Sequence, residues 1–166
     1  IYFLAKVHYL YEDDFRGSRK WVSMLRERHP DNPFFHAFEG RVYARWGRWG
    51  EARSIFRAVL EQCEAGRPGY NTHMEEIAHL YLARDRLYQD AYEEALEHLS
   101  TLERLTRRDI EDTRYRMLGF LYQGMAYDAI GRRDLAIDRY ERVLDLDDAA
   151  GAHDRAERYL ESPYEG

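Results

Sequence analysis

Residues 117–146 read MLGFLYQGMAYDAIGRRDLAIDRYERVLDL, and they contain the clearest helical pattern of the chain. Apolar residues recur at helical spacing up to Gly131, and a second helical pattern begins directly after it. Glycine readily adopts the positive backbone φ angle that ends many helices. The stretch therefore predicts two helices joined by a tight turn at Gly131.

The same layout occurs in residues 33–61, which read PFFHAFEGRVYARWGRWGEARSIFRAVLE with a turn at Gly47. Each copy has an aromatic residue and a glycine before the turn, and an alanine and a second aromatic residue after it. Small residues let paired helices approach closely, and aromatic side chains fill the space between them. The matching positions are Phe38, Gly40, Tyr43, Ala52 and Phe56, and then Tyr122, Gly124, Tyr127, Ala136 and Tyr140.

Two weaker copies occupy residues 1–32 and 75–105. The small residues after the four turns are Ser18, Ala52, Ala95 and Ala136, which are 34, 43 and 41 positions apart. The longer intervals predict insertions at Gly66–Thr72 and Thr106–Arg116. Residues 149–161 form a helical pattern that is polar on one side, as expected of a helix that caps a repeat array.

This pattern resembles the tetratricopeptide repeat (TPR) family, whose unit is a helix-turn-helix of 34 residues. The resemblance covers nearly the whole chain. It implies one all-α domain over 1–166, a right-handed superhelix of about four helix pairs plus a C-terminal capping helix. The expected units are 1–32, 33–66, 70–106, 110–147 and the capping helix 149–161.

Composition limits the classes of function. The chain has 166 residues with 45% hydrophobic and 34% charged residues, which is typical of a folded globular domain. Its formal net charge of -6 disfavours nucleic acid as a partner, because phosphates attract basic surfaces. The single cysteine, Cys63, excludes an intrachain disulfide.

The first residues of the sequence concern two questions, whether the chain is part of a longer protein and where in the cell it is located. The chain begins at Ile1 without an initiator methionine, and we interpret it as a piece of a longer bacterial protein or as a chain with a disordered start. A cytoplasmic location is favoured, and a periplasmic or envelope location is expected if a signal peptide precedes the piece.

No pattern of residues predicts catalysis. The two histidines of HMEEIAH, His73 and His79, are six positions apart, whereas a zinc-binding helix places them four apart. Acidic residues alternate with arginines, which is typical of solvated helix faces. We therefore predict no enzyme activity, no cofactor and no metal.

TPR proteins commonly bind a peptide or helix on the concave face lined by the first helix of each unit. By helix phase, Arg41, Arg45 and Arg84 are expected to form one electropositive stripe there. The clamp asparagine of chaperone-tail binders is replaced by Phe38 and Tyr122, so that ligand is not expected. The predicted partner-binding residues are Tyr11, Phe34, Arg41, Arg45, Arg84, Leu87, Tyr88, Leu118, Leu121 and Met125.

The resemblance therefore implies a scaffold that binds a protein or peptide partner. Two alternatives are a structural segment that self-associates within a larger repeat protein, and an accessory domain of a multidomain enzyme. A further alternative concerns the groove itself, since the C-terminal helix could cover Leu118, Leu121 and Met125 from within the chain.

Overall fold

The computed structural model describes residues 1–107 and 113–166, and within these residues all regular structure is helical. The all-α prediction is thus confirmed. The insertion expected at Thr106–Arg116 and the unit start expected at 110 lie largely outside the described residues. The nine described helices are α1 Tyr2–Leu10, α2 Phe15–Arg28, α3 Pro33–Arg45, α4 Trp49–Glu64, α5 Thr72–Leu87, α6 Tyr92–Thr106, α7 Arg114–Ala129, α8 Arg133–Leu144 and α9 Ala152–Glu161.

The chain divides into two compact units, Ile1–Tyr81 and Leu82–Gly166, and the boundary falls within α5. We call them unit 1 and unit 2. Among the described helices, none combines the length and apolar character that crossing a bilayer requires.

In unit 1, α2 packs against both α1 and α3, and α3 packs against α4. The first residue of α3 is a proline, whose missing N–H has no partner to lose at a helix start. The Asn32 side chain accepts a hydrogen bond from the Phe35 backbone N–H at 3.2 Å and caps the helix. One cluster of buried residues in unit 1 comprises Ala5, Tyr9, Val22, Leu25, Phe38 and Val42.

Glycines end the first helix of both strong repeats, as the sequence predicts. Gly47 has a φ of 72° and Gly131 a φ of 75°, both in the left-handed region. The next helices, α4 and α8, begin two residues later. Each pair is therefore a helical hairpin with a short connection.

Close helix approach inside each hairpin depends on a glycine beneath an aromatic ring. A Cβ atom added to Gly40 would lie 2.7 Å from Cζ of Phe56, and one added to Gly124 would lie 2.7 Å from Cδ1 of Tyr140. Both rings are almost fully buried. The two glycines are thus required by packing, since no side chain fits beneath either ring.

In unit 2, α7 is the central helix and packs against α6, α8 and α9. Residues on all its sides are consequently buried, including an unbroken run from Gly119 to Ala126. Most of the middle of the helix is apolar because neighbouring helices surround it.

Replacing Gly124 by alanine tests the hairpin packing. We expect Gly124→Ala to lower the free energy of unfolding by about 1–3 kcal/mol, because the added methyl displaces the buried Tyr140 ring. Urea denaturation followed by circular dichroism measures the change.

Gly50→Ala is the matched control. No atom lies within 4 Å of a Cβ added at Gly50 in α4, so this variant is expected to gain about 0.5–1 kcal/mol from lower chain entropy. Equal stability of Gly124→Ala and the unmodified chain would contradict the account.

Candidate functional site

Helix α9 covers α7 in unit 2. The Arg155 guanidinium lies over the Tyr122 ring, 5.6 Å from its centroid, and Nη2 of Arg155 lies 3.3 Å from Sδ of Met125. Leu121 and Met125 are both buried. Helix α9 therefore contacts the expected binding surface on α7 at Met125, and covering of Leu118 and Leu121 by the same helix stays a prediction.

A buried carboxylate holds the C-terminal segment in place. The Asp128 side chain is fully buried and accepts hydrogen bonds from Nη1 of Arg133 at 3.0 Å and from the Tyr140 hydroxyl at 2.9 Å. It also accepts one from the Tyr164 backbone N–H at 2.9 Å. Nη2 of Arg133 donates to the Leu160 carbonyl at 2.7 Å. One carboxylate thus joins α7, α8 and the segment after α9.

The Tyr140 hydroxyl is held as a proton donor in this network. Burial, and then the hydrogen bond and negative charge of Asp128, raise the pKa of Tyr140 well above its ordinary value. Its ring also lies 5.6 Å from that of Tyr159 in α9. Tyr140 therefore contacts both Gly124 beneath it and the covering helix.

The other predicted residues of unit 2 differ in exposure. Leu87 is buried, Leu118 is half-buried and Tyr88 is 57% exposed. The Arg84 guanidinium lies 5.9 Å from the Tyr88 ring centroid and 5.8 Å from that of Tyr122. Leu87, Leu121 and Met125 are thus core residues in this structure, because neighbouring helices enclose them.

In unit 1 two predicted arginines converge on one tyrosine. The Arg45 guanidinium lies 5.1 Å from the Tyr9 ring centroid, and its Nη2 donates to Oδ1 of Asp13 at 3.0 Å. Burial raises the Tyr9 pKa, and the positive charges of Arg41 and Arg45 nearby oppose that rise. Both guanidinium groups are therefore held on the same face of α3.

Two exposed aromatic side chains belong to the same elements or follow them directly. Tyr11 is 81% exposed and follows α1, while Phe34 is 42% exposed and belongs to the first turn of α3. The Phe34 ring packs edge-on to Tyr2 at 5.3 Å and stacks on Phe38 at 6.4 Å. We call Tyr11, Phe34, Arg41 and Arg45 the α1–α3 surface.

Of the predicted arginine stripe, the structure brings Arg41 and Arg45 together in unit 1. Arg84 belongs to unit 2, so a stripe that includes all three stays a prediction.

The two units carry different charges. Unit 1 has 12 lysines and arginines against 11 aspartates and glutamates, and unit 2 has 13 against 20. The chain's negative charge therefore resides in unit 2, and the α1–α3 surface belongs to a nearly neutral unit. The net charge of the whole chain does not reveal this difference in charge between the two units.

Sequence reasoning also missed a cluster at the end of α1. Nδ1 of His8 lies 2.5 Å from Oε2 of Glu12 and 3.2 Å from Oδ2 of Asp14. Among the described residues, His8, Glu12 and Asp14 are the group whose possible metal-ligand atoms all lie within 4.8 Å of one another. The closeness of the His8 ring to both carboxylates accounts for the grouping. The sequence offered little indication of this cluster. Asp14 lies after the end of α1, and outside a helix the spacing of two residues in the sequence does not determine how close their side chains are.

Comparison with protein-family models and with curated proteins finds no match to this sequence. The resemblance to the TPR family therefore stays a prediction carried by the repeated residues.

Removing the Asp128 carboxylate tests how the C-terminal segment is held. We expect Asp128→Ala to lower the free energy of unfolding by about 3 kcal/mol, because it leaves the Tyr140 hydroxyl, Arg133 and the Tyr164 N–H without their acceptor. Tryptic cleavage after Arg155 and Arg158 should accelerate, which limited proteolysis measures.

Asp138→Ala is the control, since Asp138 lies in α8 and forms a half-exposed ion pair with Arg142. A surface pair of this kind contributes less than about 1 kcal/mol. Equal effects of the two variants on cleavage would show that Asp128 does not hold the segment.

Proposed function

We propose that the chain is a TPR-like superhelical interaction module, and that its α1–α3 surface binds an acidic, partly apolar segment of a partner protein. The observation that carries this proposal is the Arg45 guanidinium held against Tyr9, with Arg41 one helical turn before it and exposed rings at Phe34 in the same helix and at Tyr11 directly after α1. Aromatic residues and arginine are the side chains most often responsible for affinity at protein interfaces.

The arginines supply the polar part of recognition. Contacts with Tyr9 fix the position of the Arg45 guanidinium, so a carboxylate ligand would find its donors already oriented. Its present acceptor, Asp13, has a 77% exposed side chain and lies in the connection between α1 and α2. A partner carboxylate would replace Asp13 by forming a similar charge-assisted pair.

The surface has a length that suits a short segment. Phe34 and Arg45 are eleven residues apart on α3, which corresponds to about 16 Å along a helix. About five residues of an extended peptide, or about three turns of a helix, span that distance. The ligand would place an apolar side chain against Phe34 and a carboxylate against Arg45.

Unit 2 is less suited to such a ligand. Helix α9 covers α7 there, and the excess of acidic residues would repel an acidic segment. We therefore assign binding to unit 1 and assign the chain no catalytic step.

A random-peptide display selection against the whole chain tests this function. We expect the selected peptides to be enriched in aspartate or glutamate, with an aromatic or aliphatic residue about five positions away. Arg45→Glu should weaken a selected peptide by about tenfold or more, and Phe34→Ala by a similar factor. Fluorescence anisotropy measures both affinities.

Arg132→Glu is the control, because Arg132 is an exposed arginine at the α7–α8 turn of unit 2 and the same charge is reversed. Selected peptides that are basic, or an equal loss with Arg132→Glu, would contradict the assignment to the α1–α3 surface.

A further inference from the structure

Helix α1 is apolar on the side that faces away from the core. Ala5 and Tyr9 are buried, whereas Phe3 is 75%, Leu4 40% and Leu10 43% exposed. At 100° per residue, Phe3, Leu4, Val7, Leu10 and Tyr11 share an arc of about 120°, and no charged residue lies within it. A helix with apolar residues on both sides is normally covered on both.

The size of this α1 outer face indicates a protein contact. A large aromatic side chain carries about 200 Å² of surface, so these five residues expose on the order of 450 Å². This exposed apolar area is similar to the area of the largest apolar patch on a typical monomeric protein. With its polar rim it approaches the roughly 600 Å² per partner at the low end of specific interfaces.

The sequence of the α1 outer face is nearly symmetric about Val7. Reading outward from Val7, Leu4 is matched by Leu10 and Phe3 is matched by Tyr11. A two-fold axis through Val7 would therefore bring Leu4 against Leu10 of a second copy, and Phe3 against its Tyr11. Such self-complementarity is what a two-fold symmetric interface between identical chains requires.

We infer that the α1 outer face binds a second copy of this chain, with the two α1 helices antiparallel and crossing at Val7. The small Val7 side chain at the crossing point lets the helices approach, and the larger side chains interdigitate on either side. Lys6 lies at the edge of the arc, where its stem packs and its ammonium stays in water. The modest area is typical of weak, transient interfaces, so we expect a reversible dimer.

Sedimentation equilibrium of the chain tests the association. We expect a reversible monomer–dimer equilibrium that Phe3→Glu weakens by about tenfold or more, since it places a charge within the apolar contact. Tyr88→Glu, at an exposed tyrosine of unit 2, is the control and should leave the equilibrium unchanged. A monomer at every concentration, or equal loss with both variants, overturns the inference and points to a different protein on this face.

Disulfide trapping tests the orientation in a background where Cys63 is replaced by serine. Val7→Cys should cross-link rapidly, because the two Cα atoms face each other at the two-fold axis within disulfide range. Leu4→Cys should cross-link slowly, since six residues of helix rise, about 9 Å, separate the two thiols along the axis. Faster trapping through Leu4→Cys would indicate parallel helices and overturn the proposed symmetry.

The two proposals can fail separately. The two surfaces share Tyr11, so each proposal is tested at a residue that belongs to one surface alone. Arg45→Glu should leave dimerisation unchanged, and Phe3→Glu should leave the peptide affinity of the monomer unchanged.

Discussion

The contact between the Tyr140 ring and Gly124 is the constraint on which unit 2 depends. The ring occupies the space that a side chain at Gly124 would fill, so α7 and α8 approach closely only with glycine at that position. The same ring lies beside Tyr159, and its hydroxyl donates to the buried Asp128. Packing between two helices is thereby joined to the position of a third helix and of the segment that follows it.

The two units differ in which helix surfaces remain exposed. In unit 2 the chain uses its own α9 to cover α7, and it satisfies the buried Asp128 carboxylate with donors from α8 and the C-terminal segment. In unit 1 the corresponding aromatic contact, Phe56 over Gly40, closes the α3–α4 hairpin. The surfaces of α1 and α3 there keep exposed aromatic rings and oriented arginines, which is why we assign recognition to unit 1.

The sequence predicted the helices well, because short-range rules govern them. Gly47 and Gly131 mark turns that need a positive φ, and Gly40 and Gly124 recur with an aromatic partner at a fixed distance. The site was harder to predict, since burial depends on residues distant in the chain. Helix phase placed Met125 and Leu121 on a common face, but Arg155, thirty positions after Met125, covers it. The convergence of Arg41 and Arg45 followed from their spacing of four, whereas the contact with Tyr9 required the fold.

Hydrogen–deuterium exchange of the unligated chain most directly tests whether α9 covers unit 2. A helix of ten residues has little stability of its own, so protection of its amides must come from packing on α7 and α8. We expect residues 152–164 to exchange as slowly as α8, and the Tyr164 amide to be protected because it donates to Asp128. Rapid exchange throughout α9, at the rate of an unfolded peptide, would contradict the account, because the surface of α7 would then be open.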